Sequence, residues 1–157
     1  MQLESLLSSR LTVNSLQSRD AAGAFDEVAR ALADAGVVAA ARVVEVRDAY
    51  LAREKQGSTC LGFGMAVPHV FVSGVQGVHL VVARSNEGVD LGAVDSRPVR
   101  VMFCLLSDES ERTKYLAALG AVARVARDKD YRRLIERAGA AAQAVEHLLQ
   151  GDKALGR

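Results

Sequence analysis

The sequence predicts an α/β fold, a single-domain α/β sandwich in which a mixed central sheet lies between helices on both faces. Three observations lead there: helical spacing of apolar residues concentrated towards the two ends of the chain, two short β-branched runs in its middle, and a length of 157 residues, half of them apolar, enough for one core without disulfides. Helices at both ends of a strand-rich centre are the pattern that buries a sheet from two sides. Residues 1–150 are assigned to the domain and the charged residues 151–157 to a flexible tail.

In chain order, the first helix spans Asp20 to Gly36, where Phe25, Val28, Ala29, Leu32 and Ala33 recur three and four apart and Gly36 can end the helix. A second runs from Ala40 to about Lys55; Val43, Val46 and Tyr50 share one face despite β-branching. Gln56 to Gly64, with three glycines beside Ser58 and Thr59, reads as a loop entering a short strand at Met65 to Val67. Pro68 is expected to end central pairing there. Val78 to Ala83 and Val99 to Leu106 are short, apolar and β-branched, the signature of sheet interior. Between them, Asn86 to Pro98 reads as turns with a brief hairpin strand. Helices are then expected over Glu109 to Arg127, Tyr131 to Ala138 and Ala140 to Leu149.

Composition narrows function. Twenty Lys and Arg against 19 Asp and Glu leave a net charge of +1, and tryptophan is absent. Neither nucleic acid nor an anionic membrane is suggested as a partner. No stretch approaches the roughly 20 apolar residues of a spanning helix, and the N-terminus lacks a signal-peptide pattern. Cys60 and Cys104 form neither a metal-ligand spacing nor a disulfide framework. A cytoplasmic protein without membrane insertion is the expectation.

The three histidines differ in context. His79 lies inside an apolar strand and reads as a buried, hydrogen-bonded residue; His147 lies beside Glu146 on a helix and reads as solvated. His69 closes the run Gly62-Phe-Gly-Met-Ala-Val-Pro-His69. Glycine permits close backbone approach and unusual dihedrals, and Pro68 is rigid and has no N–H, so His69 is expected to leave the sheet with its imidazole presented. A neutral imidazole is nucleophilic near pH 7, and Arg53, Ser58, Thr59 and backbone N–H groups offer donors for phosphoryl oxygens. A phosphohistidine site is one reading, a purely structural glycine-rich turn the other. Hydrolase chemistry through Ser58 or Cys60 lacks a nucleophile elbow and an oriented acid.

The run Leu51-Ala-Arg-Glu-Lys-Gln-Gly-Ser-Thr-Cys-Leu-Gly-Phe-Gly-Met-Ala-Val-Pro-His69, continued by Glu87-Gly-Val-Asp-Leu-Gly-Ala-Val-Asp-Ser-Arg-Pro-Val, resembles the enzyme IIA domains of the fructose/mannitol class of the bacterial phosphoenolpyruvate-dependent sugar phosphotransferase system. The likeness covers nearly the whole chain, and its layout is nearest to the stand-alone nitrogen-regulatory branch. It implies that His69 accepts a phosphoryl group from an HPr-like phosphocarrier, with a IIB domain or regulatory target proteins downstream. It also implies that Arg53 stabilises the transferring group and that Gly57, Ser58 and Thr59, with Gly62 and Gly64, frame it. No metal or organic cofactor is implied. Two positions depart from the family pattern. Tyr115 stands where a second histidine is common, and Phe63, which adds apolar surface beside the site, where a polar residue, typically Asn, is frequent. The departures favour the alternative of an interaction module that keeps the fold and binds partners irrespective of phosphorylation.

Overall fold

The computed structural model describes residues 2–156. Six helices, α1 (Leu3–Leu6), α2 (Ala21–Asp34), α3 (Val43–Gln56), α4 (Arg112–Arg127), α5 (Lys129–Arg137) and α6 (Ala141–Leu155), surround strands β1 (Ser9–Val13), β2 (Cys60–Gly62), β3 (Met65–Ala66), β4 (His69–Phe71), β5 (His79–Val89) and β6 (Val99–Ser107). The sheet order is β1-β5-β6-β3-β2, with β4 also paired to β6. β5 and β6 are antiparallel, whereas β6 runs parallel to β3 and β4 and β5 runs parallel to β1. The mixed sheet and the helices on both of its faces match the predicted sandwich.

β6 shows why two layers form. Every residue of this strand except Arg100 is buried. Strand side chains alternate between faces. Val101, Phe103 and Leu105 therefore join the core beneath α1, α4, α5 and α6, while Met102, Cys104 and Leu106 join the core beneath α2 and α3. The α2 and α3 faces read from the sequence are the buried ones: Phe25, Val28, Ala29 and Leu32 on α2, and Val43, Val46 and Tyr50 on α3. Phe25 stacks on Tyr50 with centroids 5.2 Å apart. The buried Tyr50 hydroxyl donates to the Leu105 carbonyl at 2.9 Å.

Several expectations need correction. The Gln56 to Gly64 stretch is not all loop: Cys60–Gly62 pairs antiparallel with Met65–Ala66 in a tight hairpin. Its turn passes through three consecutive residues with positive φ, Gly62 (85°), Phe63 (56°) and Gly64 (77°). Glycine accepts this conformation at little cost; for a phenylalanine it costs about 1–2 kcal/mol. Nor does Pro68 end pairing with β6. A proline lacks only its N–H, and its carbonyl still accepts from Leu105 N at 2.9 Å, so the chain resumes as β4 with His69 opposite Leu105. His69 thus remains in the sheet. The Asn86 to Pro98 stretch contributes the end of β5 rather than a separate hairpin strand. The N-terminal α1 and β1, which periodicity does not reveal, are a single turn and a five-residue strand, too short for a periodic signal.

The tail is also corrected. α6 continues through Gly151 to Leu155, because Gly151 is packed so closely that a Cβ would stand 2.6 Å from Val125 Cγ1. Beside it, buried Asp152 accepts a 2.7 Å hydrogen bond from the backbone N–H of Leu3, joining the two ends of the described chain. Asp152→Ala leaves that buried N–H without its partner, and the expected loss is about 1–3 kcal/mol of folding stability, measured by urea denaturation.

Candidate functional site

His69 opens β4, which pairs with β6 alone among the described strands. At this edge a groove of about 410 Å³ lies between α3, contributing Ala52, Arg53 and Gln56, and α4, contributing Tyr115, Leu116 and Leu119, with His69 and Phe71 between them. The imidazole is half-buried. Its Nδ1 lies 2.7 Å from the Val67 carbonyl oxygen. A carbonyl only accepts, so Nδ1 carries the proton and Nε2 keeps its lone pair.

The electrostatics favour the same neutral, nucleophilic form. Burial holds the His69 pKa below its ordinary value, and the neighbouring Arg53 charge pushes the same way; the hydrogen bond to Val67 and the Glu54 carboxylate oppose them. Arg53 is partly exposed at the last turn of α3, and its Nη1 donates to the Gly57 carbonyl at 2.9 Å. That bond satisfies a carbonyl just beyond the helix end and holds the guanidinium at the groove.

Tyr115 is brought to the site. Its ring centroid is 6.2 Å from that of His69 and 4.2 Å from that of Phe71, over which the Arg112 guanidinium lies at 5.6 Å. Tyr115 is only 3% exposed. Burial pushes its phenol up to about 12, although Arg53 and Arg112 pull it down. The side chain is therefore both a packed aromatic and a proton-bearing phenol, without the switchable charge of a second imidazole.

The predicted framing residues lie differently. None of Gly57, Ser58, Thr59, Gly62 and Gly64 lines the groove. Thr59 is buried and committed: its N–H and hydroxyl both donate to the Glu54 carboxylate, and its carbonyl accepts from Val67 N at 2.9 Å. Ser58 Oγ accepts from Cys60 N. Gly62 and Gly64 serve the hairpin turn. Phe63 also points elsewhere: its N–H donates to Asp95 at 3.0 Å and its ring stacks under the Arg132 guanidinium at 3.8 Å. The expectation of apolar surface beside the site is therefore corrected, since the αL turn directs Phe63 towards α5. The Val67 carbonyl and Glu54 escape a reading of residue types. No side-chain pattern marks a backbone acceptor.

The remaining candidates fall away from the groove. His79 is buried, its Nε2–H donating to Gln76 O and its Nδ1 accepting from the Ser9 hydroxyl, both at 2.6 Å. His147 is half-buried rather than solvated. Burial raises the Cys60 thiol pKa, which works against a thiolate nucleophile there. Among the described residues no cluster of three His, Cys, Asp or Glu is arranged to hold a metal, and no helix is long and apolar enough to cross a membrane.

Residues 5–151 match the family described as phosphoenolpyruvate-dependent sugar phosphotransferase system, EIIA 2. The chain belongs to that family. It is 35% identical over 104 residues to the nitrogen regulatory protein of Bradyrhizobium diazoefficiens, covering 66% of this chain and 67% of that one. It is 26% identical over 153 residues to the fructose-specific EIIABC component of Bacillus subtilis; these are 98% of this chain and 24% of the larger protein. The crystal structure of nitrogen regulatory protein IIA-Ntr from Neisseria meningitidis superposes with a TM-score of 0.73 at 28% identity, covering 89% and 92% of the two chains. Membership in this EIIA family carries a phosphocarrier or regulatory role, with transferase chemistry through a phosphohistidine as the family's reaction class.

Two outcomes test the geometry of this EIIA domain. The imidazole of His69 is expected to titrate below 6.5, its ordinary value, in an NMR pH series. Between its folded and unfolded pKa values the unfolded chain binds more protons, so this contribution to stability is present above the unfolded value. It is lost as the pH falls through the folded one. A midpoint above 6.5 contradicts the burial argument. Phe63→Asn, which relieves the αL strain but removes the Arg132 stack, is expected to leave the His69 titration curve unmoved.

Proposed function

We propose that this chain is a histidine phosphocarrier in which His69 Nε2 accepts a phosphoryl group from a phosphorylated HPr-like carrier, or its nitrogen-branch relative. The group is then passed to a IIB-type acceptor, or the phosphorylated state itself acts on regulatory targets. The observation that carries the proposal is the 2.7 Å contact from Nδ1 to the Val67 carbonyl, which commits one ring nitrogen and leaves the other as nucleophile.

The step balances without a proton transfer. The Nε2 lone pair forms a bond to phosphorus as the donor's P–N bond breaks, its electron pair returning to the donor nitrogen. A donor imidazole protonated on its other nitrogen departs neutral. His69 becomes a phosphoimidazolium whose Nδ1–H stays on Val67. The protein contributes position and charge, as phosphoryl transfer demands. Arg53, at the groove and within electrostatic reach of His69, is suited to the equatorial oxygens. Tyr115 offers a phenol that remains a donor throughout the neutral range, in place of a titrating imidazole. The groove walls supply Ala52, Leu116 and Leu119, apolar surface for a partner to cover, and Leu116 is 50% exposed. Phosphorylation adds about 1.5 to 2 negative charges at this surface, enough to change which partner docks there.

A second reading rests on Tyr115. A buried tyrosine at the site suits an interaction module that captures its target whatever the state of His69. Incubation with phosphoenolpyruvate, enzyme I and the HPr-like carrier, read by intact mass, separates the two. A single acid-labile, base-stable phosphoryl adduct is expected in the wild type and none in His69→Ala, with Arg53→Ala slowed by about 10²-fold. An unmodified wild type, with target capture unaffected by His69→Ala, selects the interaction module instead.

A further inference from the structure

Glu54 lies next to Arg53 on α3, yet its carboxylate is turned to the buried Thr59, accepting from both the backbone N–H (3.3 Å) and the hydroxyl. Thr59 in turn presents its carbonyl to Val67 N at 2.9 Å. Val67 offers its own carbonyl to His69 Nδ1 at 2.7 Å. These bonds form an unbroken series from a carboxylate on α3, across the β2–β3 hairpin, to the ring nitrogen that decides which face of the imidazole is nucleophilic.

We propose that Glu54 and Thr59 are positioning residues that select the His69 tautomer, by holding the Val67 backbone through its N–H so that the carbonyl of the same residue stays aimed at Nδ1. The proposal rests on the reading of His69 Nε2 as the phosphoryl acceptor and adds the device that keeps that nitrogen free. Three features make the clamp selective rather than merely stabilising. Val67 lies between strands β3 and β4, where Pro68 contributes no N–H, so the Val67 N–H is the last backbone donor before His69. The partner of that N–H is the Thr59 carbonyl, in a segment otherwise short of regular pairing, since β2 and β3 exchange bonds over only a few residues with a register shift. Thr59 is 6% exposed, so its hydroxyl and N–H need a protein acceptor, and Glu54 supplies both of its oxygens.

The titratable and charged groups facing the imidazole come from both helices at the groove: Arg53 and Glu54 on α3, with the Tyr115 phenol and Arg112 on α4. Glu54 raises the proton affinity of His69 and Arg53 lowers it. The carboxylate therefore has two separable effects, one through the hydrogen-bonded series and one through its charge. Glu54→Gln retains an acceptor oxygen but loses the charge. Glu54→Ala loses both.

The test is long-range ¹H–¹⁵N NMR of the unphosphorylated, uniformly labelled full chain, read at His69 above its titration midpoint. The wild type is expected to show the Nδ1–H form. Glu54→Ala and Thr59→Val are expected to shift the tautomer ratio towards Nε2–H by about fivefold, the equivalent of about 1 kcal/mol for one hydrogen bond. Thr59→Ser, which restores the hydroxyl, is expected to recover the wild-type ratio. Glu54→Gln is expected to keep the ratio while lowering the titration midpoint, a shift that a role in folding alone does not produce. An unchanged ratio in folded Glu54→Ala, or in Thr59→Val where Glu54→Ala does not fold, overturns the proposal. The readout needs no phosphoryl donor. A tautomer that responds in a protein that is never phosphorylated rejects the phosphocarrier reading alone, whereas a phosphorylated protein whose tautomer ignores Glu54 and Thr59 rejects the clamp alone.

Discussion

The architecture depends on β6 being buried on both faces and paired along both edges. Its alternating side chains supply two separate cores, so the helices of each layer are anchored to the same nine residues. One edge is taken by β5 in antiparallel register and the other by β3 and then β4 in parallel. The second edge matters for chemistry, because β3 and β4 keep one register on β6 across Val67 and Pro68, which places His69 opposite Leu105. Tyr50 braces the same place by donating to the Leu105 carbonyl from α3.

From that foundation the groove acquires its character by what each neighbour withholds. The Val67 carbonyl takes the Nδ1 proton, burial withholds water from the ring, and Arg53 makes a second positive charge unfavourable. A neutral imidazole with one free lone pair is the result. Tyr115 completes the wall with a phenol too well buried to ionise near neutral pH. At this position the groove carries a phenol packed on Phe71.

Much of this architecture is legible in residue spacing. The faces of α2 and α3 are written in the spacing of Phe25, Val28 and Leu32, and of Val43, Val46 and Tyr50, because a helix long enough to repeat its period declares which side is buried. Strands β5 and β6 are recognisable by the apolar, β-branched stretches Val78 to Ala83 and Val99 to Leu106. Short elements are not. β1, β2 and β4 have three to five residues each, and β2 sits in a stretch whose glycines and hydroxyl residues read as a loop. The end of α6 is obscured for a related reason: Gly151 and Asp152 look like a terminus, but close packing against Val125 and a buried bond to Leu3 keep them helical.

By itself the sequence determined the fold class, and its resemblance to the EIIA family marked His69, Arg53 and Tyr115 as the residues to watch, since these depend on which residues stand where along the chain. Only the tertiary structure decided that Tyr115 stacks on Phe71 within reach of His69, that Phe63 turns away under Arg132, and that Thr59 is spent on Glu54 rather than on a phosphoryl group. It alone also assigned the His69 tautomer. That assignment belongs to a backbone carbonyl, and the direction in which a carbonyl points is a property of the folded chain that no single residue type encodes.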